Sequence, residues 1–445
     1  MNPEVVKRYS APVPRYTSYP TAPHFTADVG PEEYAEWLTA LRPASRLSLY
    51  LHIPYCASLC WYCGCCTKEV RRYDPVSEYL PSLYAEIAGV SGRLPAARSV
   101  VHIHWGGGSP NILSSDDIAR LADVQAGQFN MDDGAEFAVE IDPRGLDEDR
   151  VAAFARAGVT RVSLGVQDFD TRVQAAINRH QSFEQTKFAA DAFRAHGIST
   201  INVDIVYGLP HQNRDGVQRT IEQVLALRPA RVAAFGYAHL PSRLKHQTMI
   251  DEAALPNSVE RFAQASRIAR ALTAAGYVRV GLDHYALPDD PLAGTALARN
   301  FQGYTTDTAD ALIGLGASSI GRLPQGYVQN HAATGEYMRR IGEGRLATSR
   351  GFVLSEADRM RGFVIERLMC DLAFPARELR LRYGNDAEEI LQEAQALLEA
   401  DQDRLIERDG EAFRVTDRGR PFVRSIAACF DSYFDESAAR HAPGV

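Results

Sequence analysis

The sequence predicts an α/β protein: an incomplete (β/α) TIM-like barrel of about six strands, with an N-terminal arm and a mostly helical C-terminal domain. Three observations carry this. From residue 46 short β-rich runs alternate with amphipathic stretches, each closed by a Gly or Pro signal. Chemistry-bearing residues stand at the carboxyl ends of those runs, where the loops of a barrel converge on one mouth. The two ends of the 445-residue chain depart from the alternation.

The arm spans residues 1–45 and contains "VPRYTSYPTAPHF", too rich in Pro and Tyr for regular structure and expected to pack on or across the barrel. The barrel domain spans 46–345. Its runs are "RLSLYLHIP" (46–54), "SVVHIHWGG" (99–107), "EFAVEIDP" (136–143), "TRVSLGVQ" (160–167), "TINVDIVYG" (200–208) and "RVAAFGYAHL" (231–240). Helical patterns at 147–158, 183–197 and 214–229 lie between them, and "YVRVGLDHYA" (277–286) is a candidate seventh strand. Eight repeats are not visible, which favours an incomplete barrel over a closed one of eight. The last unit, 346–445, opens with two helical patterns, at 355–374 and 387–402. It continues into a two-stranded wing with its turn at Asp409-Gly410, then a helix. The end is winged-helix-like, and the acidic helices before it favour a structural or lid role over nucleic-acid binding.

The net charge of -8 comes without a basic stripe, so a phosphate backbone is not an expected partner and a small substrate is. No run approaches the ~18 apolar residues that span a bilayer, and the start has no signal-peptide core, so no membrane contact and a cytoplasmic location are expected.

Five of the seven cysteines fall between residues 56 and 66, in "HIPYCASLCWYCGCC". In a reducing compartment such crowding reads as metal or redox chemistry. Cys56, Cys60 and Cys63 form C-x3-C-x2-C directly after the first strand. Structural zinc takes four ligands, normally as two well-separated pairs, and no second pair exists. A [4Fe–4S] cube held at three corners suits a short loop better and leaves one iron open. Cys370 and Cys429 sit in apolar helical patterns and read as buried small hydrophobes. His52, Gly106 to Gly108, Glu140, Gln167, Asp204 and His239 end their respective runs. One such residue alone satisfies a backbone group; a whole series marks a site.

C-x3-C-x2-C with an aromatic, Tyr62, before the last cysteine is the signature of the radical S-adenosylmethionine superfamily. The segments "RYTSYPT", "YLHIPYCASLCWYCGC", "HIHWGGGSPNIL", "VEIDPRGL", "SLGVQDFD", "INVDIVYGLP", "YAHLP", "ARNFQGYTT" and "CFDSYF" resemble the oxygen-independent coproporphyrinogen III dehydrogenases over essentially the whole chain. The resemblance implies a partial or full (β/α) barrel and a cluster on Cys56, Cys60 and Cys63. It implies S-adenosylmethionine chelated at the open iron and cleaved to a 5′-deoxyadenosyl radical. The radical takes a hydrogen from the propionate β-carbon of coproporphyrinogen III; two propionates become vinyl groups, giving protoporphyrinogen IX in haem biosynthesis. By similarity Tyr50, Gly107, Glu140 and Ile320 contact the cofactor on the cluster. Tyr62, Gly108, Ser109, Gln167, Arg179, Asp204 and Ala238 match a second S-adenosylmethionine site. The glycines and Ser109 are expected to offer exposed N–H donors with no Cβ in the way.

The family substrate carries four carboxylates. Arg15 and Arg299 are candidates to bind them, and Tyr16, Tyr19 and Phe301 to cover the tetrapyrrole faces. Cys65 matches the family's fourth cysteine and, with Tyr50, is a candidate for the catalytic chemistry, as a low-pKa thiol in an electropositive pocket. A reductant protein is required, and a monomer is expected. The chain departs from the family pattern at Cys66, at Ser109 where Thr is common, and at Leu287 where Arg is expected. Relatives that act as haem chaperones or haem-modifying methyltransferases are the rival reading; chaperone-type relatives lack the fourth cysteine and the "RYTSYPT" arm.

Overall fold

A computed structural model describes residues 1–96, 98–294, 297–435 and 444; the remaining tail of the expected C-terminal unit lies outside the described residues. The strands of the main sheet are β1 (Arg46–Ile53), β2 (Ser99–Gly107), β3 (Met131–Ile141), β4 (Arg161–Gln167), β5 (Thr200–Tyr207) and β6 (Arg231–Gly236). They continue with β7 (Val278–Val280), β8 (His284–Ala286), β9 (Ala311–Leu315), β10 (Ile320–Leu323), β11 (Gly326–Asn330) and β12 (Thr348–Val353). Their order across the sheet is β12-β11-β10-β9-β1-β2-β3-β4-β5-β6-β8-β7. From β9 to β6 every pairing is parallel, and both flanks are antiparallel. The six expected strands are present in sequence order, as an open β/α sheet.

The candidate seventh strand at 277–286 is not a barrel repeat. It folds back as the antiparallel hairpin β7–β8, with Gly281 at φ +52° in the turn, and caps one edge of the sheet. The seventh parallel strand is β9, five fully buried residues beside β1. The helical patterns at 147–158, 183–197 and 214–229 form Glu148–Arg156, Phe183–Ala195 and Arg214–Ala226. The side chains of Asp147, Ser182 and Asn213 cap them by accepting from N3 backbone amides.

Period-two alternation sorts the parallel strands other than β9 into two faces. In β1, Leu47, Leu49, Leu51 and Ile53 are at most 1% exposed and join helix residues Leu80, Leu83 and Ile87 in one core. Each such burial contributes ~1.5–3 kcal/mol. The alternate residues Ser48, Tyr50 and His52 face the other way, in register with His102, His104 and Gly106 of β2. The apolar half of each such strand thus holds the helices, and the polar half lines the interior.

A second core joins the two ends of the chain: Val5, Val13, Tyr16 and Tyr19 pack with Val364, Phe374, Ile390, Phe413 and Phe422. Val29, Tyr34, Trp37 and Leu38 of the same arm belong to the main core. The irregular stretch lies between the helices Pro3–Arg8 and Pro31–Thr39, with one 3-10 turn at Ala22–His24. The expected wing is the hairpin Ile406–Asp409 and Ala412–Val415 with Gly410 at φ +59°, extended by a third strand, Ala373–Pro375. Cys370 is buried as expected. Cys429 is not: it caps the end of the Val423–Ala428 helix and is exposed. Among the described residues no helix is long and apolar enough to cross a membrane.

Glu86, in the helix Asp74–Ser91, joins helix to sheet from the buried side. Its carboxyl accepts from Gly316 N at 2.6 Å, Asn330 Nδ2 at 2.6 Å and Tyr337 OH at 2.8 Å. Burial outweighs those donors and pushes its pKa up to about 7. A carboxyl whose folded pKa is raised favours the folded state below its unfolded value, near 4.5, and that advantage is lost as pH rises through 7. The stability of the wild type relative to Glu86→Gln is therefore expected to fall by about 3 kcal/mol between pH 4.5 and 8. Urea unfolding of both proteins across that range measures it; a flat difference would mean that Glu86 is ionised in both states.

Candidate active site

The cysteine loop leaves β1 at Ile53 and returns beside itself, Tyr55–Cys56 pairing in parallel with Lys68–Glu69. Its backbone is tied down from four directions. His52 Nε2 donates to Cys66 O at 2.9 Å, Asn178 Nδ2 to Leu59 O at 2.9 Å, Gln247 Nε2 to Tyr62 O at 3.1 Å and His246 Nε2 to Cys63 O at 2.6 Å. A carbonyl only accepts, so both histidines carry their proton on Nε2. Tyr50 OH fixes the other nitrogen of His52 at 3.0 Å.

The glycines at the end of β2 let two loops touch. A Cβ on Gly106 would meet Glu140 Cδ at 2.7 Å, one on Gly107 would meet His52 Nε2 at 2.7 Å, and one on Gly108 would meet Tyr55 N at 2.7 Å. Gly107 has φ +107°, a conformation that side chains rarely adopt. The expected free N–H donors are not present. Gly107 N donates to Glu140 Oε2 at 3.2 Å, Gly108 N to Ile53 O at 2.8 Å and Ser109 N to Tyr55 O at 2.8 Å. These glycines serve close approach, and the amides of Gly108 and Ser109 hold the start of the cysteine loop.

All five loop cysteines open onto one chamber of about 830 Å³. Gly107, Gly108, Ser109, Glu140, Gln167, Arg179, Asp204, Ala238, Tyr62, Arg15, Arg299 and Phe301 line it with them. Tyr50 and Ile320 do not line it: Tyr50 stands behind the loop against His52 and His104, and Ile320 starts β10 with its backbone against Gly314. Tyr16 and Tyr19 are also misplaced by the expectation. Both are buried in the second core, bonded at 3.0 Å to Asp431 and Ser432, and do not reach the chamber. His239 pairs with Tyr237 and Glu252 outside the lining. Leu287 packs on the main core, away from the chamber.

Charge in the chamber is arranged around the loop. Arg144 Nη2 and Arg179 Nη1 each approach Cys60 Sγ at 3.4 Å, and Asp142 holds both arginines, at 2.6 Å and 3.3 Å. Cys60 itself is buried. Glu140 accepts from His104 at 3.0 Å; burial pushes its carboxyl up, but the His104 and Gly107 hydrogen bonds win and hold it below the ordinary value. Burial raises Asp204 to about 6, against the opposing Asn202 amide. Gln167 ends β4 at φ +68°, an uncommon conformation that turns its side chain at the mouth.

Cys65 differs from expectation. Its thiol is pushed well above the ordinary range by its hydrogen bond to Cys63, by the charge of that neighbour and by burial, while Cys63 is drawn down to about 7. It is not a low-pKa thiol. The sequence passed over Arg144, Asp142, His104, His246 and Gln247. The first two sit in "VEIDPRGL", where a charge pair at a strand end was visible; His246 and Gln247 carry no local signal.

The donor set fits an iron–sulfur cube. A cube takes one thiolate per iron and so spreads its ligands, and hydrogen bonds to cluster sulfurs and thiolates of the kind Arg144 and Arg179 make to Cys60 tune such centres.

Residues 50–224 match the radical SAM superfamily, and residues 354–422 match the HemN C-terminal domain. The chain is 47% identical to the oxygen-independent coproporphyrinogen III oxidase of Bradyrhizobium diazoefficiens, covering 97% of each protein. It is 44% identical to that of Paracoccus denitrificans, over 98% of this chain and 97% of the relative. The structure of coproporphyrinogen III oxidase (HemN) from Escherichia coli superposes with a TM-score of 0.90 at 35% identity, covering 94% of this chain and 98% of that one. Membership of the radical SAM superfamily implies a [4Fe–4S] cluster and S-adenosylmethionine. The chain belongs to the oxygen-independent coproporphyrinogen III oxidase family of radical S-adenosylmethionine enzymes.

Proposed function

We propose that the protein removes carbon dioxide from two propionate side chains of coproporphyrinogen III without oxygen, giving the vinyl groups of protoporphyrinogen IX. Each propionate gives up one hydrogen atom, one electron and carbon dioxide. The carrying observation is a single chamber into which Cys56, Cys60 and Cys63 open together with Arg15 and Arg299. Thiolates for a cluster and guanidinium groups for substrate carboxylates thus face the same space.

When bound, the reduced cluster and S-adenosylmethionine supply the one-electron, hydrogen-abstracting chemistry this reaction needs. Cys56, Cys60 and Cys63 would hold the cluster, with Arg144 and Arg179 donating to Cys60. Glu140, kept ionised by His104, is suited to accept from a ribose or an ammonium group. Tyr50 and His52 position the loop through Cys66 O, and Ile320 is assigned to the first cofactor by family likeness only. Tyr62, Gly108, Ser109, Gln167, Arg179, Asp204 and Ala238 all line the chamber, which supports a second S-adenosylmethionine. Cys65 opens onto the same chamber as the three ligand cysteines and is placed beside the substrate. Phe301 covers a tetrapyrrole face. We further infer a monomer, located in the cytoplasm and served by a separate reductant protein, divided into an arm (1–45), a barrel (46–345) and a C-terminal unit (346–445).

Reconstituted anaerobically with a strong reductant and S-adenosylmethionine, the protein is expected to release two carbon dioxide molecules per coproporphyrinogen III consumed. Carbon dioxide capture and porphyrin chromatography measure this. Cofactor cleavage without decarboxylation would overturn the assignment.

A further inference from the structure

His284 begins β8 and lies opposite Ala233 of β6, with Asp283 directly before it. It lines the chamber and is 7% exposed. Its Nδ1 stands 2.8 Å from Asp283 Oδ1. Burial pushes the Asp283 carboxyl up, but the charge of Arg299, at 3.8 Å, and the contact with His284 hold it down to about 2. An ionised carboxylate only accepts, so Nδ1 carries the ring proton, and Nε2 of the neutral imidazole is left as an acceptor.

The ring is held still while that far nitrogen stays open. Phe235 and Tyr304 meet the imidazole edge-on, with ring centroids at 5.6 Å and 5.1 Å. Among the described residues nothing hydrogen-bonds to Nε2. Gly303 faces it with φ +114°, and a Cβ there would come within 3.1 Å of Nε2. A glycine at this position keeps clear the space that a side chain would enter. The dyad also has a position relative to the substrate, because Arg299, one of the two guanidinium groups assigned to substrate carboxylates, is the cation beside Asp283. A macrocycle held there by its acid groups still has N–H donors to satisfy, and these need an acceptor.

We propose that His284 Nε2 accepts a hydrogen bond from a pyrrole N–H of the bound macrocycle, with Asp283 fixing the tautomer, so that the chamber selects a reduced porphyrinogen over the corresponding porphyrin. The inference rests on the proposed function, which supplies a tetrapyrrole as ligand. In a porphyrinogen all four ring nitrogens carry hydrogen, and the saturated bridges let the rings tilt until N–H groups point to one side. In the flat porphyrin two nitrogens are bare and the remaining N–H groups lie in the ring plane, out of reach of an acceptor above it. The two ligands have the same carboxylates, so guanidinium groups alone do not tell them apart. A single acceptor in the wall does, since a site built to receive an N–H disfavours a ligand that does not offer one.

Cluster-loaded protein is dialysed anaerobically to equilibrium against coproporphyrinogen III and, separately, against coproporphyrin III; fluorescence after oxidation of the bound fraction reads both. Wild type is expected to hold the porphyrinogen about tenfold tighter or more. His284→Phe, which keeps an aromatic ring against Phe235 and Tyr304, is expected to remove most of that margin and leave coproporphyrin III affinity, iron content and S-adenosylmethionine binding unchanged. His284→Gln, whose amide oxygen accepts, is expected to restore part of the margin. Should His284→Phe lose its iron, His284→Leu decides by the same two affinities. A margin that survives the loss of the acceptor overturns the proposal. So does an equal loss for both ligands, which would make the imidazole a partner of carboxylates, and so does a wild type without any margin. A wild type that neither binds coproporphyrinogen III nor releases carbon dioxide fails the proposed function; a wild type that turns over with a margin indifferent to residue 284 fails only this inference.

Discussion

Cys60→Ala is expected to give a folded protein that retains no [4Fe–4S] cluster and releases no detectable carbon dioxide from coproporphyrinogen III. Cys60 is the buried member of the triad and the one that two guanidinium groups approach at 3.4 Å. Alanine removes a ligand that no neighbour replaces. Cys65 N donates to Cys63 Sγ at 3.4 Å and the Cys66 carbonyl is held by His52, so the backbone on both sides of Cys65 is fixed where it stands. Without its sulfur partner, the pair Arg144 and Arg179 still closes on Asp142, so the fold loses little. Iron content and the absorbance of the anaerobically reconstituted protein, set beside its melting temperature, measure the outcome. Cys66→Ala is the control and is expected to keep its iron. A Cys60→Ala protein with a full complement of iron would move the cluster to a different set of thiols.

How much of this was legible in sequence differs by element. The six strands named from composition begin and end within a few residues of β1 to β6, because their apolar half alternates under helices and their turns carry Gly or Pro. The strand β9 was missed for a physical reason. Its five residues, "ALIGL", are buried on every side, so they show no alternation, and glycines stand within and after them. The hairpin β7–β8 was mistaken for a repeat because Gly281, which turns it back, reads equally well as a glycine inside a strand. The thiol triad and Glu140 were legible as motif and strand end. The tethers were not: His246 and Gln247 reach the loop from 183 and 185 residues away, a pairing that only the fold creates. Tyr16 and Tyr19 failed in the opposite sense. An aromatic arm invites a ligand-stacking reading, whereas a second apolar core built from the C-terminal helices takes both rings.

Gly108→Ala is expected to uncouple the two halves of the site while leaving the cysteines intact. Gly108 is not in the left-handed region, so the backbone conformation permits alanine and the objection is purely steric. An added Cβ would lie 2.6 Å from Thr67 Oγ1 and 2.7 Å from Tyr55 N, well inside contact with the first and last turns of the cysteine loop. A side-chain hydroxyl can rotate away; the Tyr55 backbone cannot, because Gly108 N and Ser109 N are bonded at 2.8 Å to Ile53 O and Tyr55 O. Relief therefore means moving the loop as a unit and stretching those two bonds. Overpacking of this kind costs ~1–3 kcal/mol in a core. Here the cost falls on cluster retention, because Cys56 follows Tyr55 directly and its thiol meets Thr67 Oγ1 at 3.2 Å. The expected result is a protein with a melting temperature a few degrees below wild type, a cluster lost more rapidly to a chelator, and activity reduced by about tenfold or more. Timed iron release to a ferrous chelator measures it. Gly127→Ala, on an open helix face where nothing lies within 4 Å of an added Cβ, is expected to change none of these. Unchanged iron release in Gly108→Ala would mean that the loop does not rest on the glycine strip.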